Sequence, residues 1–172
     1  CPNDTDTYNS LFIHYEIINR SAISYSDLYL GNWTDIDLGN YSDDYIGSMV
    51  DLYSFYGYNG DNYDDNQYGY DIPAQAVTIL KGPLADELDG DDNDHDSLVD
   101  EPDEIIGLSN FMYYNNDYSV TGNPDTATDY YNYMRSVWKD ESHLTYDDNG
   151  YGGTLSCDFM YPGSSDSLGW GT

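Results

Sequence analysis

Short apolar stretches alternate with polar loops along most of the chain, and this pattern predicts β-strands. Within these stretches, Ile, Leu, Phe, Tyr and Val alternate with polar residues or follow one another directly. The predicted strands lie in Ser10–Arg20, Ser26–Trp33, Tyr45–Tyr58 (one or two strands), Ala74–Leu80 (short and buried), Ile105–Tyr114 and Cys157–Tyr161. The acidic segments Thr34–Asp44, Asn59–Tyr70 and Gly82–Glu104 are predicted to be loops.

The segment Asp125–Glu141 differs, because its apolar residues recur at helical spacing. Thr126 or a neighbouring residue can cap its start, and Trp138 is expected to anchor it to the core. The chain also contains 21 tyrosines, whose rings suit the half-buried surface of a sheet. We therefore predict one domain over residues 1–172. It is mainly β and β-sandwich-like, with long acidic loops and one α-helix near residues 125–141.

The charge balance excludes two classes of partner. The chain has 33 acidic residues against four basic ones, a formal net charge of −29. Nucleic acid is excluded because phosphate contacts need Lys and Arg, and an anionic membrane surface is an equally poor partner. No apolar run is long enough to span a bilayer, so membrane insertion is not expected. A chain this acidic repels itself unless cations compensate, and carboxylates are the preferred ligands of calcium.

The strongest candidate site is an aspartate loop with the spacing of an EF-hand or dockerin-type calcium loop. Alternate residues of such a loop point their side chains to one centre. The predicted Ca²⁺ ligands are Asp92, Asp94, Asp96, the backbone carbonyl of Leu98, Asp100 and Asp103, with Glu104 as the alternative to Asp103. Ser97 stands where such loops carry glycine and must adopt a left-handed or strained backbone. Without flanking helices, the loop is better interpreted as a structural clamp than as a sensor.

A second acidic cluster lies next to predicted core strands. Its candidate metal ligands are Asp35, Asp37, Asp43, Asp44 and Asp61, and Asn59, Asp64 and Asp65 are candidates to close the same site from the next loop. A second calcium site and an ordinary polar loop are both open interpretations. A paired-carboxylate glycosidase site is a third, but nothing in the sequence identifies the required pair.

The two cysteines, Cys1 and Cys157, show no zinc-like spacing. In an oxidising compartment they would form a disulfide that closes a long loop and stabilises by roughly 4–5 kcal/mol. Two alternatives are open, since Cys1 can also pair with another subunit or carry a lipid. Without an initiator Met, the sequence is interpreted as a processed chain or an excerpt of a longer protein.

No residue set indicates catalysis, because nucleophile motifs and Gly-rich phosphate loops are absent from the sequence. Sugar binding is the better alternative, since aromatic rings stack on sugars and calcium can coordinate hydroxyl groups. The candidate stacking residues are Trp33, Trp138 and Trp170, although a core role explains Trp138 better. A secreted hydrolase using the acids of Asp35–Asp44 is the third functional hypothesis.

Several runs together resemble a known domain: GNWTDIDLGNYSDDYIG, PAQAVTILKGP, DNDHDSLVDEPDE, ATDYYNYMRSVWKD and LTYDDNGYGG. They are similar to an uncharacterised domain of large secreted proteins of Bacteroidetes-type bacteria, which often end in a type IX secretion sorting signal. The resemblance implies an extracellular or cell-surface location within a longer polypeptide. It also implies O-glycans at Asp-Ser/Thr sites followed by a small or aliphatic residue, for which Thr126 and Ser167 are the candidates.

These observations predict a calcium-stabilised extracellular structural or adhesive module. Its expected partner is a further copy of itself, in a cell-surface filament or surface layer, with glycans as a second possible partner. A carbohydrate-binding module and a secreted hydrolase are the alternatives.

Overall fold

The computed structural model describes residues 7–146 and 148–163. Three strands form one antiparallel sheet in the order β1–β2–β3: β1 (Asp44–Met49), β2 (Ser54–Asn59) and β3 (Ala74–Thr78). The other regular elements of the described residues are one helix, α1 (Ala127–Tyr133), and the 3-10 turns Val50–Leu52 and Asp148–Gly150. The fold is mainly β with one helix, as predicted. Within the described ranges, no helix meets the length and hydrophobicity that a bilayer crossing requires.

The β1–β2 hairpin confirms the prediction of strands within Tyr45–Tyr58. The strands are antiparallel, and Asp44 lies directly opposite Asn59 at the open end of the hairpin. At the other end Tyr53 adopts a φ of 48° and donates its backbone N–H to the Val50 carbonyl at 2.9 Å. This left-handed residue reverses the chain direction and sets the register of the two strands.

The two edges of the sheet differ. On the β1 side, the Ser48 N–H donates to the Tyr161 carbonyl at 3.0 Å and the Gly163 N–H donates to the Ser48 carbonyl at 2.9 Å. On the other side, β3 pairs only with β2, so its outer edge carries no strand in the described part of the chain. The prediction of a buried strand at Ala74–Leu80 is wrong in burial, because most of β3 is exposed. It is an open edge strand.

The core consists of large side chains from β2, from the end of α1 and from irregular segments. Its buried members are Phe55, Phe111, Tyr133, Trp138, Leu144, Met160 and Tyr161. Phe55 stacks on Phe111 with 5.2 Å between ring centroids, which joins the sheet to the segment after the acidic loop. Trp138 is 1% exposed and meets Tyr133 edge-on at 5.6 Å. Within the described residues, the core between the sheet and the rest of the chain is therefore filled mainly from turns and loops, with Tyr133 as the contribution of α1.

The helix is shorter than the predicted 125–141. It begins after Thr126, whose Oγ1 accepts a hydrogen bond from the Asp129 N–H at 3.2 Å, while the Asp129 carboxylate accepts one from the Thr126 N–H at 2.9 Å. This capping box fixes the start. The helix ends at Tyr133, and Ser136 then adopts a φ of 56°, which a helix interior does not tolerate. Trp138 lies beyond the helix but fills the core as predicted.

Two further strand predictions, Ser10–Arg20 and Ser26–Trp33, are wrong for this chain. Residues from Tyr8 to Trp33, here called the apolar segment, contain no regular element. Their exposed large apolar side chains range from 57% exposed at Ile18 to 84% at Leu11. A strand needs a neighbour to take its N–H and C=O groups, and no strand of the sheet pairs with this segment.

The stretches Ile105–Tyr114 and Cys157–Tyr161 are not strands either, and they pair through isolated bridges such as the one between Phe111 and Phe159. Cys157 packs against the core, whereas Cys1 lies outside the described residues. The predicted disulfide is therefore still a prediction. The same holds for glycosylation, since Ser167 also lies outside the described residues and Thr126 is exposed at the helix cap.

Candidate metal centre

The acidic loop Gly82–Glu104 is closed at its base by backbone pairing. The Ala85 N–H donates to the Glu104 carbonyl at 3.0 Å, and the Ile106 N–H donates to the Pro83 carbonyl at 2.8 Å. At Gly82, a Cβ would collide with the backbone of Ile106, so the two ends can meet only because this residue is glycine. The base holds the loop in a defined position beside the sheet.

Inside the loop, aspartate carboxylates organise the backbone around themselves. The Asp92 carboxylate accepts hydrogen bonds from the N–H groups of Asp96 at 3.1 Å and of Ser97 at 3.0 Å. The Asp96 carboxylate accepts one from the Leu98 N–H at 2.8 Å. Ser97 adopts a φ of 76°, the left-handed conformation expected of a residue that stands in place of glycine.

Two groups of carboxylates could hold a metal ion. One is Asp92, Asp94 and Asp96, and the other is Asp94, Glu101 and Glu104; within each group the ligand oxygens lie within 4.8 Å of one another. Asp94 belongs to both, so the groups are adjacent and share a ligand. This arrangement concentrates negative charge from two stretches of the loop at one place.

The second group is the more buried one. Glu104 is 6% exposed, and its Oε1 accepts a hydrogen bond from the Asn93 N–H at 2.6 Å. The Oε2 of Glu101 is buried without a hydrogen-bond donor. A hydrogen bond with its own backbone lowers the pKa of Glu101, but burial and the charges of Glu104, Asp96 and Asp94 outweigh it and raise the pKa. A cation would relieve this repulsion and occupy the unpaired oxygen.

The site is attached to the sheet through Tyr53, the residue that closes the β1–β2 hairpin. Its hydroxyl donates a hydrogen bond to the Asp94 carbonyl. Burial raises the pKa of Tyr53, and the charges of Asp94, Asp96 and Asp92 raise it further. Tyr53 therefore stays protonated and keeps donating to the loop.

Oxygen ligands define the chemistry that the site supports. Carboxylates are hard ligands that suit calcium or magnesium, and neither group contains His or Cys. Among the described residues, the ion pairs are Lys139 with Asp125 and His143 with Asp158, so no basic side chain neutralises the loop. The acidic residues can therefore hold a metal ion.

The structure brings together the predicted ligands Asp92, Asp94 and Asp96 but places the others differently. Neither group contains Asp100 or Asp103, and Asp100 accepts a hydrogen bond from the Gly90 N–H at 3.1 Å. The Leu98 carbonyl as a ligand is still a prediction. For the last ligand of the loop, the sequence left Asp103 and Glu104 as alternatives, and the second carboxylate group contains Glu104.

Glu101 was missed by the sequence interpretation. The turn in which the Glu104 N–H donates to the Glu101 carbonyl, at 3.2 Å, brings the two carboxylates to one place. The sequence feature that could have predicted Glu101 as a ligand is the pair of glutamates three positions apart at the end of the acidic loop. This spacing is typical of residues on one side of a turn.

The second acidic cluster lies at the open end of the β1–β2 hairpin. Asp35 and Asp37 are exposed, and Asp61 lies just after β2, where its Oδ1 accepts a hydrogen bond from the Tyr63 N–H at 2.8 Å. In the described ranges, groups of three close carboxylates occur only in the acidic loop, so these residues form no such group. Asp43 and Asp44 are half-buried at the start of β1.

Asp44 is constrained by its surroundings. Its Oδ2 accepts a hydrogen bond from the Leu38 N–H at 2.7 Å. Burial raises the pKa of Asp44 and that hydrogen bond lowers it, but the charges of Asp43, Asp37 and Asp64 add to the increase. The carboxylates at this end of the hairpin are thus close enough to repel one another.

Asp64 was a candidate to close the second acidic cluster, but in the structure its role is to hold backbone N–H groups. It is 1% exposed. Its carboxylate accepts hydrogen bonds from backbone N–H groups at 2.7–3.2 Å, and the donors are Asn40, Asn66, Gln67 and Tyr68. A Cβ at Gly39, where φ is 90°, would collide with this carboxylate. Asp64 therefore joins two loops through their backbones.

We expect the Asp64→Asn variant to be less stable than wild type at neutral pH and to depend less on pH in acid. The Tyr68 N–H lowers the pKa of Asp64 most, burial opposes it, and the N–H groups of Gln67, Asn66 and Asn40 add to the lowering. A folded-state pKa below the ordinary 3.8 means that the stabilisation exists above that pH and is lost as pH falls through the folded-state value.

Urea denaturation between about pH 5 and about pH 2 measures this dependence. The matched control is Asp65→Asn, an exposed neighbour that should keep the wild-type slope. An Asp64→Asn variant with the wild-type slope would contradict the assignment.

A shallow cleft of about 260 Å³ lies beside the hairpin end. It is lined by Tyr58, Asn59, Asp61, Asn62, Tyr70, Ile72, Pro73 and Ala74. Among the tryptophans proposed to stack on sugars, Trp138 is in the core, Trp33 is exposed in the apolar segment, and Trp170 lies outside the described residues. Neither Trp33 nor Trp138 lines the cleft, so carbohydrate binding stays a prediction from sequence.

No family model, curated protein or solved structure matches this chain. The resemblance to a secreted bacterial surface domain is therefore still a prediction.

Proposed function

We propose that this chain is a calcium-stabilised extracellular structural or adhesive module that associates with further copies of itself. The observation that carries the proposal is the apolar segment, Tyr8–Trp33, in which large apolar side chains are 57% to 84% exposed. Monomeric proteins rarely expose continuous apolar surface of this extent, and larger patches mark interaction sites.

The segment has the pattern of a strand that lacks a sheet. In extended chain, one face is apolar throughout, whereas the other mixes polar and apolar residues. The first face carries Leu11, Ile13, Tyr15 and Ile17, and the second carries Phe12, His14, Glu16 and Ile18. Within the described residues, the hydrogen bonds of its first part are local, such as those among Asn19, Ser21 and Ile23, and the Asp27 carbonyl accepts one from the Tyr131 hydroxyl at 3.2 Å. Its backbone is therefore open to pairing along one apolar face.

The open edge of β3 supplies a matching surface. An exposed strand edge carries unpaired N–H and C=O groups, and an extended segment can add to it as a further strand. The edge of β1 is less suited, since Tyr161 and Gly163 already pair with Ser48. Strand addition from a second copy would extend the sheet by one strand at this edge.

Charge also favours this mode of association. The whole chain carries a net charge of −29, which opposes contact between copies. From Ser10 to Ser26, however, the charged residues are Glu16 and Arg20, so the segment itself is close to neutral. At its other end it is held to the body by a ring contact of Tyr29 with Tyr131 at 5.6 Å. An anchored, neutral strand can approach a second copy with little repulsion.

Calcium is the metal that we propose for the acidic loop. Support comes from the all-carboxylate ligand set, the alternating aspartates and the buried, unpaired Oε2 of Glu101. Calcium accepts irregular oxygen geometry more readily than magnesium, which demands a near-ideal octahedron. An extracellular location fits millimolar calcium and the sequence resemblance.

We expect the Ile13→Asp variant to abolish self-association of the full chain, because a charge on the apolar face of the segment would be buried in the contact. Light scattering after size exclusion, over a concentration series with calcium present, measures the assembly, and electron microscopy shows whether it is a filament. The matched control is His14→Asp, which places the same charge on the other face.

A wild-type chain that is monomeric over the whole series would contradict self-association. Equal assembly of both variants would contradict pairing through the apolar face.

A further inference from the structure

Asn59 presents a buried amide oxygen without a partner at the open end of the β1–β2 hairpin. The residue is 8% exposed, and its Oδ1 has no hydrogen-bond partner. Its Nδ2 donates to the backbone carbonyl and the carboxylate of Asp61, both at 3.2 Å. Because those two acceptors require a donor, the amide cannot be turned around, and Oδ1 must face away from Asp61.

Two carboxylate oxygens with the same deficit belong to residues at the same end of the hairpin. Asp44 is directly opposite Asn59 in the antiparallel pair, so the two side chains project from the same face of the sheet as neighbours. The Oδ1 of Asp44 and the Oδ1 of Asp43 are buried and have no hydrogen-bond partner. The Gly60 N–H donates to the Asp43 carbonyl at 2.7 Å, which holds Asp43 at the same end of the hairpin, just before β1 begins.

Buried polar atoms in proteins are almost always satisfied, so a set of acceptors without a donor requires an explanation. A protein donor does not supply it, because the ion pairs of the described chain involve neither Asp43 nor Asp44. The carboxylate of Asp44 is also fixed in position, since its other oxygen binds the N–H of Leu38 at 2.7 Å and Leu38 is 4% exposed. Held oxygens of carboxylate and amide type are the ligand set of a hard cation.

We infer that the Oδ1 atoms of Asp43, Asp44 and Asn59 form a second cation site, of the calcium type, at the open end of the β1–β2 hairpin. It is distinct from the acidic loop, with which it shares no ligand. Its ligands come from both strands of the hairpin, so the ion would join β1 to β2 at the end opposite Tyr53. The site would bind the ion independently of the loop and of any self-association.

The Asp94→Asn variant isolates this site, because Asp94 belongs to both carboxylate groups of the loop. In calorimetric titration of the decalcified full chain with Ca²⁺, Asp94→Asn should retain a binding event. Adding Asp44→Asn should weaken that event by about tenfold or more, since calcium affinity follows the charge count of its ligands. The matched control is Asp51→Asn, an exposed residue at the other end of the same hairpin.

The Asn59→Asp variant, in the same Asp94→Asn background, should change calcium affinity in the direction opposite to Asp44→Asn. A further carboxylate beside Asp43 and Asp44 should tighten calcium binding and enlarge the increase of the melting temperature that calcium produces. Without a cation site, the same charge would lower the melting temperature equally with and without calcium. This variant also decides the matter if Asp44→Asn fails to fold.

Absence of calcium binding to Asp94→Asn, or equal binding with and without Asp44→Asn, overturns the inference. Failure of the loop proposal has a different signature, in which wild type and Asp94→Asn bind calcium equally and Asp44→Asn removes the binding.

Discussion

Removal of calcium lowers the melting temperature of the chain by roughly 5–11 °C, if the loop is the calcium site that we propose. A ligand at about one hundred times its Kd stabilises the folded state by about 2.7 kcal/mol. For a domain of this size each kcal/mol corresponds to roughly 2–4 °C. The measurement is thermal denaturation of the full chain in millimolar calcium and in excess EGTA, followed by circular dichroism.

Two variants test whether this shift of the melting temperature comes from calcium bound to the acidic loop. Asp94→Asn should lose much of it, because Asp94 lies in both carboxylate groups. Asp91→Asn makes the same charge change at an exposed neighbour outside both groups and should keep it. Identical melting curves in calcium and in EGTA would show that the acidic loop is only a solvated surface.

Trp138→Ala should destabilise the chain by about 3–5 kcal/mol, the cost typical of removing a large aromatic side chain from a core. Trp138 is 1% exposed, and its indole Nε1 donates to the Gly150 carbonyl at 2.7 Å. The variant would leave a cavity beside Leu144 and Met160. It would also remove one of the two donors to the Gly150 carbonyl, which keeps the hydrogen bond from the Thr145 N–H at 2.9 Å. Urea denaturation with both calcium and protein concentration held constant measures the loss.

Trp33→Ala is the matched control, since it removes the same side chain from a site that is 69% exposed. Its effect should be about 1 kcal/mol or less, because little apolar surface is lost from the core. Equal destabilisation by both variants would contradict the position of the core.

Local patterns predicted the parts of the fold that depend on neighbouring residues. The apolar stretch Tyr45–Tyr58 was predicted to contain one or two strands, and the structure shows two that are adjacent in sequence and pair with each other. Thr126 was one of the residues predicted to cap the start of the helix, and such a prediction is possible because a capping residue acts within one turn. The end of the helix was not predicted. The left-handed backbone of Ser136 directs Trp138 into the core, and the spacing of apolar residues gives no indication of it.

The apolar segment shows the limit of periodicity. Its alternating residues are those of a half-buried strand, but the segment does not join the sheet of its own chain. The periodicity of apolar residues predicts which face of a segment can be buried. It does not predict which partner covers that face, because this depends on tertiary or quaternary contacts.

In the acidic loop, too, some features were predictable from the sequence and others depended on the tertiary structure. The sequence alone determined that Asp92, Asp94 and Asp96 converge, because their period of two acts within a few residues of one tight loop. Only the tertiary structure decided that Glu101 and Glu104 complete a second group at Asp94, that Asp64 binds backbone N–H groups, and that Asn59 faces Asp44 across the hairpin. These outcomes depend on which distant segments meet, and the direction of a buried polar side chain is set by the donors and acceptors found there.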